Sequence, residues 1–355
     1  MQGTDRLVGI QAARGVAALA VVLYHAGTMV SLPQYVGYIP FGGFFNFGHA
    51  GVDFFFVLSG FIIYFVHHAD IGKPRSVGRY IWRRVTRIYP IYWIATAVEI
   101  ASLLSRRHGN IYSIELCNFL KSIALLPGTQ RPIVDVAWTL QHEILFYAAF
   151  SISILSLYLG ITLLTTWGVL ITFGLFGTPN DELVKWLASP FHLQFLMGVF
   201  AAYVAINWKI TRPLLIASLS GLAFFSAGMI ENLGLFDRTG AVSQILFGVC
   251  AAFFITGLAA AEQQRRISFN KIGEFFGGAS YSLYLFHTIL IGATYKILEK
   301  LGIAAAIPGF IVVLIGVFIA LLGAALLYSY IERPITIALN RFGRDHIFGR
   351  QLEPR

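Results

Sequence analysis

Long apolar runs set the strongest limit on how this chain can fold. A helix rises about 1.5 Å per residue, so about 20 apolar residues are needed to cross the hydrocarbon core of a bilayer. Since backbone polar groups inside a bilayer must be paired within the chain, such runs predict transmembrane helices. We therefore expect an all-α integral membrane protein with a bundle of about ten transmembrane helices, at residues 7–30, 50–66, 85–104, 137–156, 160–177, 190–207, 213–230, 241–260, 274–297 and 306–330.

Composition agrees with a membrane protein and excludes several other classes. Of the 355 residues, 57% are hydrophobic and only 12% are charged, whereas about a quarter of an ordinary soluble domain is charged. No segment is left over for a soluble domain, so the net charge of +9 does not point to nucleic acid. The two cysteines are too few for a disulfide framework. Phe146 stands where a zinc-protease HExxH motif would need its second His, so no metal is expected.

The positions of Lys and Arg predict the orientation of the bundle. These residues collect in cytoplasmic loops of membrane proteins. The groups at 73–87, 209–212, 265–271 and 333–355 fall on one side if the predicted helices alternate in direction, and they contain most of the basic residues. Both termini are then expected to be cytoplasmic, and the net positive charge reflects this topology.

Two ionisable residues interrupt the first apolar run. Arg14 and His25 are eleven residues apart, which places them about 16 Å apart along a helix and on nearly the same face. Ionisable side chains at membrane depth are costly, so they mark candidate functional sites. The alternative is structural: Arg14 extends to the interface, and His25 is a satisfied donor between helices.

Two acidic residues are candidates to act with His25. Asp53 lies one helical turn after His49 in the second run, and Glu143 lies about two turns inside the fourth run. A carboxylate that meets His25 would fix its tautomer and stabilise its protonated form, as a general base requires. The competing explanation is a structural pairing of either acid with Arg14 or with a backbone donor.

A basic segment runs into the third apolar stretch and predicts an anion site. Arg84 and Arg87 are three residues apart and share a helical face, with Arg83 and Arg79 beside them. Planar guanidinium groups bind phosphate oxygens in pairs. Ordinary anchoring at the cytoplasmic interface explains a basic loop, but it does not explain basic residues inside the helix.

A third polar group lies in the ninth run. Ser280, Tyr284 and His287 share one helical face and would line an acceptor pocket, although hydrogen bonding between helices explains them equally well.

Taken together, these motifs resemble the acyltransferase family three membrane proteins, and most closely their exopolysaccharide O-acetyltransferase branch. The resemblance rests on the spacing of Arg14 and His25 and on four segments that cover the chain in order: GVDFFFVLSGF at 51–61, RRVTRIYPIYW at 83–93, WTLQHEILFY at 138–147 and SYSLYLFH at 280–287.

The resemblance implies a ten-helix enzyme of the bacterial inner membrane that moves an acyl group, usually acetyl, from cytoplasmic acetyl-CoA to a sugar hydroxyl. His25 matches the essential histidine of the family and Arg14 its partner. Arg84 and Arg87 match the RxxR pair associated with the CoA phosphates, and Glu143 matches the acidic residue of the tryptophan-containing segment. Trp138 of that segment is a candidate for substrate binding.

The resemblance also implies the partners and the domain organisation. The acceptor is expected to be a polysaccharide or a lipid-linked saccharide, and the chain is expected to contact membrane lipid but no nucleic acid. Residues 1–340 are expected to form a single transmembrane acyltransferase domain, followed by a short basic cytoplasmic tail at 341–355. Thr139 replaces the serine that commonly follows the family tryptophan, which retains a hydroxyl. The sequence leaves homo-oligomerisation open.

One rival class remains at this point. A bundle with buried ionisable residues could also be a polysaccharide transporter, or an export-complex subunit without covalent chemistry. No inverted repeat supports a transporter. A mere assembly subunit would tolerate the loss of His25.

Overall fold

The computed structural model describes residues 7–106, 115–128, 130–177, 181–235, 237–238, 240–267 and 271–349. Within these ranges the chain forms α-helices and short 3₁₀ or π turns, and it contains no strand. The helices are α1 (Val8–Val30), α2 (Gly51–His67), α3 (Val77–Arg106), α4 (Leu116–Ala124), α5 (Trp138–Leu155), α6 (Leu157–Phe176), α7 (Glu182–Leu187), α8 (Pro190–Asn207), α9 (Pro213–Asn232), α10 (Ala241–Gln263), α11 (Lys271–Lys300), α12 (Ile303–Ala306), α13 (Gly309–Leu327) and α14 (Arg333–Phe342). The expected all-α class is confirmed.

Each of the ten apolar runs overlaps a long helix, but the helices differ in how apolar they are. In the described part of the chain, seven helical segments are long and apolar enough to cross a membrane by length and composition. The long helices below that standard are α3, α5 and α11, and they carry Arg84, Glu143 and His287. The protein is thus a multi-pass membrane protein, whereas the number of ten crossings and the cytoplasmic position of both termini stay predictions.

A sharp break separates α5 from α6, where almost no polar loop is present. Ser156 has an extended backbone between the two helices, and its hydroxyl caps α6 by accepting from the backbone N–H of Leu159 at 3.4 Å. Serine favours this position because its side chain satisfies a donor that the helix leaves open. The two helices pack against each other.

The described helices belong to two compact units of discontinuous sequence. One, here called the His25 unit, contains Leu7–Phe65 and Leu193–Tyr328. The other, here called the Arg84 unit, contains the described residues of Val66–His192 and Ser329–Arg355. The chain passes from one unit to the other within α2, within α8 and at the π turn Tyr328–Glu332 that follows α13.

In the His25 unit, α1 packs against α11, and α11 packs against α13. The side chains between these three helices are mostly small or β-branched, which lets the helices approach closely. They include Ala18, Val22, Ala26, Ile291, Val312, Val313 and Ala320.

Two glycines allow α2 and α8 to touch in the same unit. A Cβ atom at Gly60 would overlap the backbone of Phe195, and a Cβ atom at Gly198 would overlap the backbone of Val57. Only glycine leaves room for two helix backbones at this distance. This close approach holds the start of α8, with Gln194, beside α2.

A bent segment, Pro40–Ala50, leads into α2 and packs against α1 and α9. Its chain reverses at Phe41, Gly42 and Gly43, whose φ values of 57°, 59° and 77° lie in the left-handed region. The side-chain amide of Asn232 donates to the carbonyl oxygens of Gly43 and Phe44 at 3.3 and 3.0 Å. The segment is therefore tied to the end of α9.

In the Arg84 unit, α3 packs against both α5 and α14, and α5 packs against α6. The hydroxyl of Tyr80 donates to the backbone oxygen of Tyr147 at 3.2 Å, and the indole of Trp82 donates to the backbone oxygen of Leu339 at 3.2 Å. The predicted tail boundary at residue 340 lies inside α14, and helical turns continue to Ile347. The single-domain description of 1–340 stays a prediction.

Candidate active site

An imidazole pair joins α1 and α11 in the His25 unit. Nε2 of His287 on α11 lies 3.1 Å from Nδ1 of His25 on α1, and the two ring centroids are 4.9 Å apart. His287 is fully buried. The sequence placed these two residues in different roles, base and acceptor pocket, whereas the structure brings them into direct contact.

The backbone partners of the pair define which nitrogen carries each proton. Nδ1 of His25 lies 3.0 Å from the carbonyl oxygen of Val21, and Nδ1 of His287 lies 2.8 Å from that of Tyr284. Because a carbonyl oxygen only accepts, both Nδ1 atoms are N–H donors. Nε2 of His287 then accepts from Nδ1–H of His25, and Nε2 of His25 is the basic nitrogen.

The other predicted residues on these helices have different surroundings. Arg14 is half-buried on α1, and eleven residues separate it from His25, about 16 Å along the helix. Ser280 is buried, and its hydroxyl donates to the carbonyl of Gly277 within its own helix at 2.7 Å. Tyr284 lies beside His287, with ring centroids 6.0 Å apart. A role for Ser280 and Tyr284 in substrate binding stays a prediction.

Asp53 is buried in the His25 unit and is held by an amide. The side-chain nitrogen of Gln194 donates to Oδ1 of Asp53 at 2.6 Å and to the backbone oxygen of Gln244 at 2.8 Å. This contact resembles the structural pairing that the sequence left open, although the partner is Gln194 and not Arg14. A catalytic role for Asp53 is untested.

His49 pairs with a carboxylate that the sequence did not single out. Its Nε2 donates to Oε1 of Glu231 at 2.5 Å, and Ser243 donates to the other oxygen of Glu231 at 2.8 Å. The guanidinium of Arg238 lies 3.6 Å from the same carboxylate. His49 precedes α2 in the bent segment, one turn from Asp53 in sequence, but its carboxylate partner comes from α9.

In the Arg84 unit, a chain of hydrogen bonds orients one arginine. Nδ1 of His67 donates to Oδ2 of Asp70 at 2.9 Å, which leaves Nε2 of His67 to accept from Arg84 at 3.3 Å. Arg79 donates to the other oxygen of Asp70 at 3.3 Å. The guanidinium of Arg84 also lies over the ring of Tyr147, 5.6 Å from its centroid.

The arginines keep unused donors in the described part of the chain. Nε of Arg84 is buried there without a hydrogen-bond partner, and the half-buried Arg87 has no hydrogen-bond partner among the described residues. A buried donor without a partner is costly unless a ligand satisfies it. The pair thus fits an anionic group such as a phosphate, whereas Arg83 is exposed.

Glu143 lies beside Arg84 in the Arg84 unit. It accepts a short hydrogen bond from the hydroxyl of Tyr147, one turn further along α5. Since Tyr147 also contacts the guanidinium of Arg84, this acid and this arginine share a neighbour. The predicted contact of Glu143 with His25 stays a prediction, because the two residues belong to different units.

Trp138 begins α5 and contacts an aromatic group. Its ring centroid lies 5.2 Å from that of Phe191 and 5.7 Å from that of His142. His142 and His192 are buried and share a hydrogen bond of 2.8 Å. Aromatic rings of this kind are suited to saccharide stacking, which stays a prediction for Trp138.

The contacts that the sequence did not predict share one property: the two partners are remote along the chain. Glu231 is 182 residues from His49, and His287 is 262 residues from His25. One signal was available for Glu231, which is an ionisable residue directly after the apolar run at 213–230. Across the described ranges, no group of three or more His, Cys, Asp or Glu could hold a metal ion.

The fold and these contacts define a multi-pass membrane protein with an imidazole pair in one unit and an arginine–carboxylate cluster in the other. Residues 7–329 match the family model described as acyltransferase domain. The chain therefore belongs to acyltransferase family three, as its motifs indicated.

Several relatives agree with this family. The exopolysaccharide production protein ExoZ of Rhizobium meliloti (strain 1021) is 30% identical over 83% of this chain and 91% of its own length. A proposed acetyltransferase, ORF330 of Acidianus two-tailed virus, is 26% identical over 82% of this chain and 86% of its own. A proposed O-acetyltransferase, SACOL0978 of Staphylococcus aureus (strain COL), is 24% identical over 92% of this chain but only 56% of its own. No solved structure matches the chain.

Proposed function

We propose that this protein transfers an acetyl group from cytoplasmic acetyl-CoA to a hydroxyl of an exported polysaccharide or its lipid-linked precursor, in a bacterial inner membrane. The family match and the exopolysaccharide and O-acetyltransferase names of its relatives support this reaction class. The observation that carries the proposal is the imidazole pair, in which Nε2 of His25 is the basic nitrogen.

The donor is assigned to the Arg84 unit. CoA carries several phosphate groups, and Arg84 has a buried Nε donor without a hydrogen-bond partner among the described residues. Arg87 lies about one turn further along α3 and adds a second guanidinium. Paired guanidinium donors suit phosphate oxygens better than a lysine ammonium does. The bond from His67 holds Arg84 in one orientation, so less freedom is lost when the phosphate binds.

The chemical step is assigned to His25. In one route, Nε2 of His25 takes the proton of the sugar hydroxyl as its oxygen attacks the thioester carbon. In the other, Nε2 itself attacks that carbon and carries the acyl group to the sugar. In both routes the imidazole becomes positively charged, and Nδ1–H of His25 then donates to Nε2 of His287 more strongly.

The test is transfer of labelled acetyl from acetyl-CoA to deacetylated exopolysaccharide by the purified protein in liposomes. We expect label in the polysaccharide with the wild type and none with His25→Ala, while both proteins insert equally into the membrane. Movement of polysaccharide across the liposome membrane without label in the product would instead support a transporter. Normal transfer by His25→Ala would remove His25 from the chemistry.

A further inference from the structure

The histidine–carboxylate pair of His49 and Glu231 lies near His25 in the same unit. The ring of Tyr24 contacts both histidines, with its centroid 4.8 Å from that of His25 and 5.8 Å from that of His49. The His49 side chain is 18% exposed, whereas that of Glu231 is 2% exposed. The side chain of His49 is therefore accessible to a ligand, whereas the carboxylate of Glu231 is not. His49 belongs to the bent segment, and it contacts α1 through Tyr24, next to His25.

The contact with Glu231 determines which ring nitrogen of His49 carries a proton. A carboxylate only accepts, so Nε2 of His49 carries the proton that bonds to it at 2.5 Å, and Nδ1 carries the lone pair of the neutral ring. Ser243 and Arg238 both contact Glu231, which favours its ionised form. A buried carboxylate that holds one imidazole nitrogen is the arrangement that orients a general base.

We propose that His49 is the general base that activates the acceptor hydroxyl in the acyl transfer proposed above, by the route in which His25 carries the acyl group. The inference rests on that proposed function. Nδ1 of His49 takes the proton of the sugar hydroxyl while the sugar oxygen forms a bond to the acyl carbon. The bond from that carbon to Nε2 of His25, which carries the acyl group in the second route above, breaks, and its electron pair stays with that nitrogen. The proton passes on to the released thiolate, so acyl-CoA and a sugar alcohol yield a sugar ester and CoA thiol.

This division of roles, with His25 on the acyl group and His49 on the acceptor hydroxyl, accounts for two oriented imidazoles that both contact the ring of Tyr24. His25 contacts the carbonyl of Val21 and the ring of His287, and His49 contacts the carboxylate of Glu231. An ionised partner such as this carboxylate stabilises the imidazolium that a general base becomes. Glu231 is accordingly a positioning residue, and His49 is the group that touches substrate.

Hydroxylamine separates the two roles, because it is nucleophilic enough to capture the acyl group without a general base. The experiment compares release of CoA thiol from acetyl-CoA by wild type, His49→Gln and Glu231→Gln in liposomes. One arm supplies deacetylated exopolysaccharide as acceptor, and the other supplies hydroxylamine. His25→Ala gives the background rate of the direct chemical reaction.

We expect His49→Gln to lower transfer to the polysaccharide by about 100-fold or more, the range of general base catalysis, and to keep transfer to hydroxylamine within about twofold. Glu231→Gln should shift the same ratio in the same direction. Glu262→Gln is the matched control, since that carboxylate in the same unit accepts from the backbone N–H of Gly9 at 2.9 Å; it should leave the ratio unchanged.

The outcomes are distinguishable. Equal loss in both arms for His49→Gln would show that the pair only ties the bent segment to α9, and would overturn the inference. Unchanged transfer in both arms would also overturn it while leaving the proposed function intact. A wild-type protein that moves acetyl to neither acceptor would overturn the proposed function and this inference with it.

Discussion

His287 is the side chain on which the state of His25 depends. Its Nε2 accepts from Nδ1–H of His25 at 3.1 Å, and its own Nδ1–H is fixed by the carbonyl of Tyr284. Nε2 of His287, which accepts the hydrogen bond, is therefore oriented before any substrate arrives. In the proposed reaction His25 becomes charged, and this hydrogen bond then strengthens.

Replacement of His287 tests this role. A hydrogen bond to a charged group contributes about 1.5 to 3 kcal/mol, and about 1.4 kcal/mol corresponds to a tenfold change. We expect His287→Phe to lower kcat roughly ten- to hundredfold, with acetyl-CoA affinity unchanged. His287→Gln keeps an oxygen that can accept and should recover much of the rate. Equal rates in the two variants, measured by CoA release, would show that His287 only fills space.

Replacement of Arg84 tests the phosphate clamp. Arg84→Lys keeps the charge but loses the paired donors and the geometry that His67 imposes, so the affinity for acetyl-CoA should fall roughly ten- to hundredfold by the same energies. The exposed Lys73 supplies the control, and Lys73→Gln should bind as wild type. Titration of acetyl-CoA and of dephospho-CoA against protein in detergent measures the change. If the Lys variant loses nothing, Arg84 serves only to anchor α3.

At the scale of helices, the contact of α2 with α8 is the most sensitive to substitution. Gly198 leaves no room for a Cβ atom against Val57, whereas Gly27 on α1 has open space around that position. Overfilling a packed contact costs about 1 to 3 kcal/mol. We expect Gly198→Ala to lower the midpoint of thermal unfolding in detergent, and Gly27→Ala to leave it unchanged or raise it slightly, because alanine favours helix. Equal midpoints for the two variants would contradict the close approach.

Helices were predictable from the sequence because length and apolarity depend only on neighbouring residues. The ends of α1, α8 and α10 lie within three residues of the predicted runs, and a helix covers every run. The partners of the site residues were not predictable in the same way. Glu231 and His49 sit on separate elements, and no periodicity within either one reports the distance between them. Arg84 was identified through its neighbour Arg87, but its bond to His67 depends on how α2 ends.

For the whole molecule, the side of the membrane that each loop faces is the principal open prediction. Cysteines introduced at Ser76 and Arg344 should react with an impermeant thiol reagent only from the cytoplasmic side, and one at Thr178 only from the outside. Thr178 lies outside the described residues, so this expectation rests on the basic residues in the loops. The native Cys117 is exposed and should be replaced first. Reaction of Ser76 and Thr178 from the same side would exclude the ten-helix topology.

The Arg84 unit interrupts the sequence of the His25 unit, and its first two junctions fall inside α2 and α8. A gene fragment that stops at either junction would therefore leave both units incomplete. The longest segment of the Arg84 unit, residues 66–192, carries Arg84 and Arg87, so exchange of this segment between relatives tests whether the proposed donor site moves with it. Such a chimera must preserve helical phase, because one residue gained or lost at a junction rotates every later residue of that helix by about 100°. An engineered chimera must therefore keep the number of residues at the α2 and α8 junctions, and this matters more than which residues stand there.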